Sequence, residues 1–143
     1  MSVPEIAKLG HFALVSTDLE KSLVFFKEII GLEETEVKDG IHYLRAWGDF
    51  EHHTLSIQAG EESRLEHIAW RTKKPEDVDT FARLLQESGT EVNWVPIGQE
   101  AGQGKAFRFK MPSNHTFEIY YDMEKTLASP ETRSVLKNQT HIE

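Results

Sequence analysis

Two histidines and one glutamate in this sequence have the residue types of a mononuclear metal site. His11 and His67 begin two similar runs, and Glu118 lies in an apolar run near the end of the chain. Two imidazoles and one carboxylate suit Fe(II), or alternatively Mn(II), and leave one face of the ion open for small molecules. The residue types therefore favour His11, His67 and Glu118 as metal ligands.

A repeat in the sequence provides a way to bring these distant residues together. The repeated segments are residues 11–15 with 67–71, and residues 53–57 with 115–119. His11 and His67 hold equivalent positions in the two copies, whereas the equivalent of Glu118 is Ser56, a poor metal ligand. Because a repeat constrains the fold more than local patterns do, we expect a site with three protein ligands rather than four.

The first copy is predicted to consist of a strand, a helix and three further strands. The expected strands cover residues 9–15, 32–37, 41–47 and 53–58. Asp18 is a favourable N-cap for the helix, and Gly31 is suited to end it. Asp39 and Gly40 form a two-residue hairpin signal between apolar runs.

The second copy is predicted to have the same order of elements. Its strands are expected at residues 67–72, 90–95, 106–110 and 116–121. Pro75 is suited to the first turn of its helix, and Gly89 to its end. Val78, Phe81, Ala82 and Leu85 form the apolar stripe of this helix. Residues 98–104 are glycine-rich, but no helix pattern follows, so we interpret them as a flexible connection and not as a phosphate-binding loop.

These elements predict an α+β fold. We expect two βαβββ units, residues 9–60 and 65–122, to pair with pseudo-twofold symmetry into a curled eight-stranded sheet that encloses a cavity. Together they form one domain over residues 1–125. Residues 126–143 are expected to be a tail, or a linker toward a second domain.

Composition excludes several classes of partner. The 143 residues carry a net charge of −8 and no cysteine, so disulfides and thiolate chemistry are not expected. No lysine- and arginine-rich run is present, which argues against nucleic acid as a partner. The absence of a long apolar run and of a signal-peptide pattern argues against a membrane partner and favours a cytoplasmic protein.

Each candidate ligand also has a structural interpretation. A histidine at a strand start commonly forms a structural hydrogen bond, and a glutamate in an apolar strand commonly faces solvent. Adjacent residues point to opposite faces of a strand, which makes His52 and His53 weaker candidates than the repeated pair. The three tryptophans, at positions 47, 70 and 94, are expected mostly in the core.

Several motifs resemble the vicinal oxygen chelate superfamily and, within it, the type I extradiol dioxygenases, the catechol 2,3-dioxygenase family. They lie at residues 9–11, 18–23, 30–32, 43–47, 66–69 and 112–121. The resemblance covers essentially the whole chain. It implies Fe(II)- and O2-dependent cleavage of an aromatic diol, in an enzyme that assembles as a homo-oligomer.

Enzymes of that family are built as two similar domains, and the second domain carries the iron. The strand at residues 43–47 and the pair His52 and His53 resemble the N-terminal domain. The catalytic half has a tyrosine four residues before the proline, where this chain has Arg108, and a histidine shortly upstream, which is missing here. The resemblance therefore implies a domain that is not catalytic alone, has no catalytic residue of its own, and works with a C-terminal catalytic domain.

Two other functions remain open from the sequence. One is a stand-alone, glyoxalase-like metalloenzyme, although such enzymes prefer a fourth ligand where Ser56 stands. The other is a metal-free module that binds a small molecule, as the bleomycin-sequestering relatives do; in that case the domain holds no ion.

Overall fold

A computed structural model describes residues 3–126, and one eight-stranded sheet is its framework. The strands are β1 Ile6–Ser16, β2 Glu33–Lys38, β3 Ile41–Arg45, β4 Leu55–Ala59, β5 Arg64–Thr72, β6 Asn93–Val95, β7 Ala106–Lys110 and β8 Thr116–Tyr120. Their order across the sheet is β2-β3-β4-β1-β5-β8-β7-β6. The sheet is mixed and does not close, and the helices are few, so the predicted α+β class is confirmed.

The two halves of the sheet have the same pairing pattern. In the first half β1 pairs parallel with β4, and in the second half β5 pairs parallel with β8. The other neighbours within each half are antiparallel. An antiparallel pairing of β1 with β5 joins the halves. This is the pseudo-twofold arrangement of two βαβββ units that the repeat predicts.

The first helix begins as the sequence indicates. The Asp18 carboxylate accepts a hydrogen bond from the Lys21 amide at 3.1 Å, and α1, Leu19–Val24, follows it. The chain continues as a π-helix, Phe25–Ile29, and Gly31 ends the helical segment with a φ of 89°. No residue of either helical segment is fully buried.

The second helix packs more tightly on the sheet. α2, Asp77–Glu87, buries Val78 and Ala82 against Phe107 and Ile119. The apolar stripe predicted for this helix therefore does face the core. None of the helices in residues 3–126 is long and apolar enough to span a membrane.

Some predicted boundaries and positions were wrong. β4 begins at Leu55 and not at residue 53, so His52 and His53 lie in the preceding segment and are both buried. Strand alternation therefore does not apply to them. β6 is shorter than predicted, and Trp47 and Trp94 are nearly half exposed rather than in the core. Apart from residue 126, the predicted tail lies outside the described residues.

Candidate metal centre

The strand register places the three predicted ligands on one face of the sheet. His11 lies opposite Ala69, and Ala69 lies opposite Glu118 on the next strand. His67 lies opposite Ala13, two residues along β1 from His11. Because the alanine between them carries only a methyl group, the side chains of His11 and Glu118 meet above it. Their Nε2 and Oε1 atoms are 3.5 Å apart.

All three side chains lie in the interior. The exposed fraction of the side chain is 0% for His11, 3% for His67 and 0% for Glu118. Nε2 of His67 is 3.6 Å from Oε1 of Glu118. The fold therefore brings together the three residues that the sequence singled out, although their role as metal ligands stays a prediction.

A fourth residue, Glu100, completes the cluster. Its Oε1 lies 2.7 Å from Nε2 of His11 and 3.6 Å from Nε2 of His67. One ligand atom from each of the four residues lies within 4.8 Å of the other three. The sequence analysis missed Glu100 because it lies in the glycine-rich segment, 98–104, that we interpreted as a flexible connection.

This segment is held in place by specific contacts. The Ala101 amide donates a hydrogen bond to the Tyr43 hydroxyl at 3.2 Å, and the Gln103 side-chain amide donates to Oε2 of Glu100 at 2.9 Å. Gly102 has a φ of 78°, and the imidazole of His52 lies where a Cβ atom would be. The only sequence signal for this arrangement is a lone glutamate between glycines, which by itself does not indicate burial.

His53 also contacts the cluster, through Glu100. Its Nε2 lies 3.0 Å from Oε1 of Glu100, and its Nδ1 lies 2.9 Å from Nδ1 of His52. Burial lowers the pKa of His53 to about 4, more than the contact with Glu100 raises it. His53 is therefore neutral at pH 7, and its Nε2–H donates to the Glu100 carboxylate, which can only accept.

Arg108 balances part of the negative charge of the Glu100 and Glu118 carboxylates. Its Nε donates to Oε2 of Glu118 at 2.6 Å, and its Nη2 lies 3.6 Å from Oε2 of Glu100. Burial lowers the pKa of Arg108, but the charge of Glu118 and the hydrogen bond to it outweigh that effect and raise it. Arg108 thus holds the outer oxygens of both carboxylates and leaves their inner oxygens facing the histidines.

A proton on His11 supplies positive charge in the metal-free chain. Burial lowers the pKa of His11, but the close, negatively charged carboxylates of Glu100 and Glu118 outweigh that effect and raise the pKa to about 9. Burial raises the pKa of Glu100, but the facing histidines hold it well below its usual range. The pocket is therefore built for two carboxylates and a compensating cation.

The arrangement of the donor atoms suits binding of a metal ion better than hydrogen bonding among the four side chains. Both ring nitrogens of His11 and of His67, and Oε1 of Glu118, make no aligned hydrogen bond with any group in residues 3–126. Buried polar atoms are rarely left in this state, and each such group calls for an explanation. Two imidazoles and two carboxylates are the donors that divalent transition metals bind, so this buried group can bind a metal.

The space next to the cluster is small. A cavity of about 60 Å³ lies between Tyr43, Ser56, His67, Glu100 and Arg108. This volume holds a few water molecules, whereas ligand pockets in proteins start at about 300 Å³. The register also confirms that Ser56 is the equivalent of Glu118, because Ser56 lies opposite Ala13 as Glu118 lies opposite Ala69.

Comparisons with known proteins agree with this architecture. A family model described as "Catechol 2,3-dioxygenase-like N-terminal domain" matches residues 65–124. The chain is 56% identical over 137 residues to the manganese-dependent 2,3-dihydroxybiphenyl 1,2-dioxygenase of Geobacillus genomosp. 3, covering 96% of this chain and 44% of that protein. It is 36% identical to the metapyrocatechase of Geobacillus stearothermophilus, covering 94% of this chain and 41% of that protein.

A solved structure shares the fold. Homoprotocatechuate 2,3-dioxygenase from Brevibacterium fuscum, in an anaerobic complex with 3,4-dihydroxyphenylacetate, superposes with a TM-score of 0.82 at 31% identity. The match covers 87% of this chain and 39% of that chain. The chain thus spans less than half the length of the relatives it matches. It belongs to the vicinal oxygen chelate superfamily and, within it, to the N-terminal domains of the type I extradiol dioxygenases.

Proposed function

We propose that this chain is the N-terminal half of an extradiol dioxygenase that cleaves a small aromatic diol, and that it is not catalytic alone. The observation that carries the proposal is the 56% identity over nearly the whole chain to a dioxygenase of which the chain spans only 44%. In the proposed enzyme a C-terminal domain performs the ring cleavage. This domain supplies packing and contacts for a homo-oligomer.

The site itself supports the absence of catalysis in this half. Arg108 occupies the position where the catalytic half of the family carries a tyrosine, and its guanidinium is committed to Glu118 at 2.6 Å. The cavity of about 60 Å³ beside the cluster leaves no room for a diol ring.

We further propose that His11, His67 and Glu118 hold one divalent ion, Mn(II) or Fe(II). The fit rests on the unpaired, buried ring nitrogens and on the inner oxygen of Glu118. In an open site such an ion supplies Lewis-acid and oxygen chemistry. In this domain the residues position two imidazoles and a carboxylate in a buried pocket, and Arg108 orients the carboxylate.

A stand-alone metalloenzyme is the second candidate, and one observation favours it. The structure adds Glu100 to the three expected donors, so the fourth ligand that such enzymes prefer is available although Ser56 is not one. The small cavity weighs against this function, because a metalloenzyme needs space for its substrate beside the ion.

The mass of the protein in its native cells tests the proposal. An antibody raised against this chain is expected to detect a species more than twice the mass of the chain, since the chain spans 44% of its dioxygenase relative. The purified chain, loaded with Mn(II) or Fe(II) without O2 and then exposed to air together with catechol, is expected to produce no ring-opened product. A native species of the chain's own mass, or ring cleavage by the chain alone, would contradict the proposal.

A further inference from the structure

We propose that Glu100 binds the ion directly as a fourth protein ligand, so that two imidazoles and two carboxylates hold it. The inference rests on the metal binding proposed above and goes beyond it, because that proposal gives the ion three protein ligands.

The nitrogen that Glu100 approaches distinguishes a ligand from a supporting residue. A carboxylate that only orients a metal-bound histidine accepts from the ring nitrogen that does not bind the metal. Here Glu100 and Glu118 both approach Nε2 of His11 and Nε2 of His67, whereas Nδ1 of neither ring has a hydrogen-bond partner among residues 3–126. Glu100 therefore lies on the metal side of both histidines.

The spacing of the donor atoms agrees with four-coordination. Ligands about 2.1 Å from an ion at the corners of a tetrahedron lie about 3.4 Å apart. Three of the separations between a histidine Nε2 and a carboxylate Oε1 are 3.5, 3.6 and 3.6 Å, and the fourth, from His11 to Glu100, is 2.7 Å. Three of these four separations are thus close to the spacing of ligands around one ion, and His11 and Glu100 would move apart on binding.

Charge and outer contacts complete the site. Two carboxylates and two neutral imidazoles neutralise a divalent ion, so the buried centre carries no net charge of its own. The second oxygen of each carboxylate is held by another side chain, Glu100 by Gln103 at 2.9 Å and Glu118 by Arg108 at 2.6 Å. These contacts fix which oxygen of each carboxylate faces the ion, which is how outer residues tune a metal site.

Mn(II) binding by the full chain and three variants tests the role of Glu100. Glu100→Gln keeps the size of the side chain and is expected to weaken Mn(II) binding by more than about hundredfold, because loss of an outer contact alone costs about 10- to 100-fold. Gln103→Ala removes such an outer contact and is expected to stay within that range. Glu66 lines the same cavity but lies outside the cluster, so Glu66→Gln is expected to leave the Kd for Mn(II) unchanged.

A Glu100→Gln effect no larger than that of Gln103→Ala would overturn the inference, and the proposed Mn(II) binding would stand. Failure of the wild-type chain to bind Mn(II) would overturn the metal proposal and this inference together.

Discussion

His67 is the residue whose replacement most directly tests metal binding. Its imidazole is buried and makes no aligned hydrogen bond within residues 3–126, so His67→Ala removes a proposed ligand without leaving a broken hydrogen bond behind. We expect loss of Mn(II) binding, with a decrease in the free energy of unfolding of about 1–3 kcal/mol. Equilibrium dialysis with metal analysis measures the stoichiometry, and His115→Ala, at an exposed position, is the control. An unchanged stoichiometry would refute the site.

Arg108 is expected to be important for stability when no ion is bound. Arg108→Gln leaves the Glu118 carboxylate buried without its cation, and breaking a buried pair costs about 3–5 kcal/mol. Since the Arg108 side chain is 23% exposed, we expect a loss near the lower end of that range. Mn(II) should reduce the loss, because the ion then compensates the charge.

Urea unfolding with and without Mn(II) measures the Arg108 effect. The matched control is Arg83→Gln, which breaks an exposed pair with Glu87 on one face of α2. Exposed pairs of this spacing contribute about 0.5 kcal/mol or less. Equal losses in the two variants would show that the Arg108 contact has no special role.

Residue types and the repeat were enough to predict three of the four clustered donors. His11 and His67 were found because the repeat places them at equivalent positions, and Glu118 because it is the carboxylate on the last strand of the second copy. Glu100 was missed since no repeat or strand pattern includes it. Its burial depends on contacts from Tyr43 and His52, which are distant in sequence.

At the scale of elements, two glycine substitutions test whether close packing holds the segment at residues 98–104 in place. Gly102→Ala combines a φ of 78° with a Cβ atom only 2.6 Å from the His52 ring, so both strain and overlap are expected. Gly98→Ala has a φ of 92° but meets no atom within 4 Å, so only strain of about 1–2 kcal/mol is expected.

Thermal unfolding and Mn(II) titration of these two variants separate the effects. Gly102→Ala should lower the Tm more than Gly98→Ala and should also weaken Mn(II) binding, because the overlap displaces the segment that carries Glu100. If both variants bind Mn(II) equally and unfold at the same temperature, the close packing of Gly102 on His52 contributes nothing.

Local signals predicted most elements because they act over a few residues. Asp39 and Gly40 have positive φ values of 53° and 78°, as their two-residue hairpin requires, and Asp18 caps α1. The start of β4 was not predicted, because His52 and His53 continue the apparent strand pattern in sequence. In the structure both imidazoles turn inward, and His53 hydrogen-bonds Glu100 while the His52 ring packs over Gly102.

For the whole molecule, Mn(II) should act as a stabilising ligand. An ion that binds only the folded state adds about 2.7 kcal/mol at a free concentration one hundred times its Kd. For a domain of this size we expect the Tm to rise by about 10 °C. Calorimetry with Mn(II), and again after addition of a chelator, measures the shift, and His67→Ala should show none. If Mn(II) does not change the Tm of the wild-type chain, this expectation is wrong.

The pseudo-twofold symmetry relates the clustered donors to one another. The row of His11, Ala69 and Glu118 has a counterpart of His67, Ala13 and Ser56 across the β1–β5 junction. The repeat was visible in the sequence, so the overall architecture could be predicted. Each row supplies one histidine to the cluster, and the rows differ in that Glu118 adds a carboxylate where Ser56 has a hydroxyl.

The attachment of Glu100 to a loop also determines how long an ion stays. Three donors are on hydrogen-bonded strands in the middle of the sheet, β1, β5 and β8, and do not move aside. Residues 98–104 are the part of the pocket that can open without breaking the sheet. If an ion binds as proposed, we therefore expect its lifetime to depend on how often this loop opens.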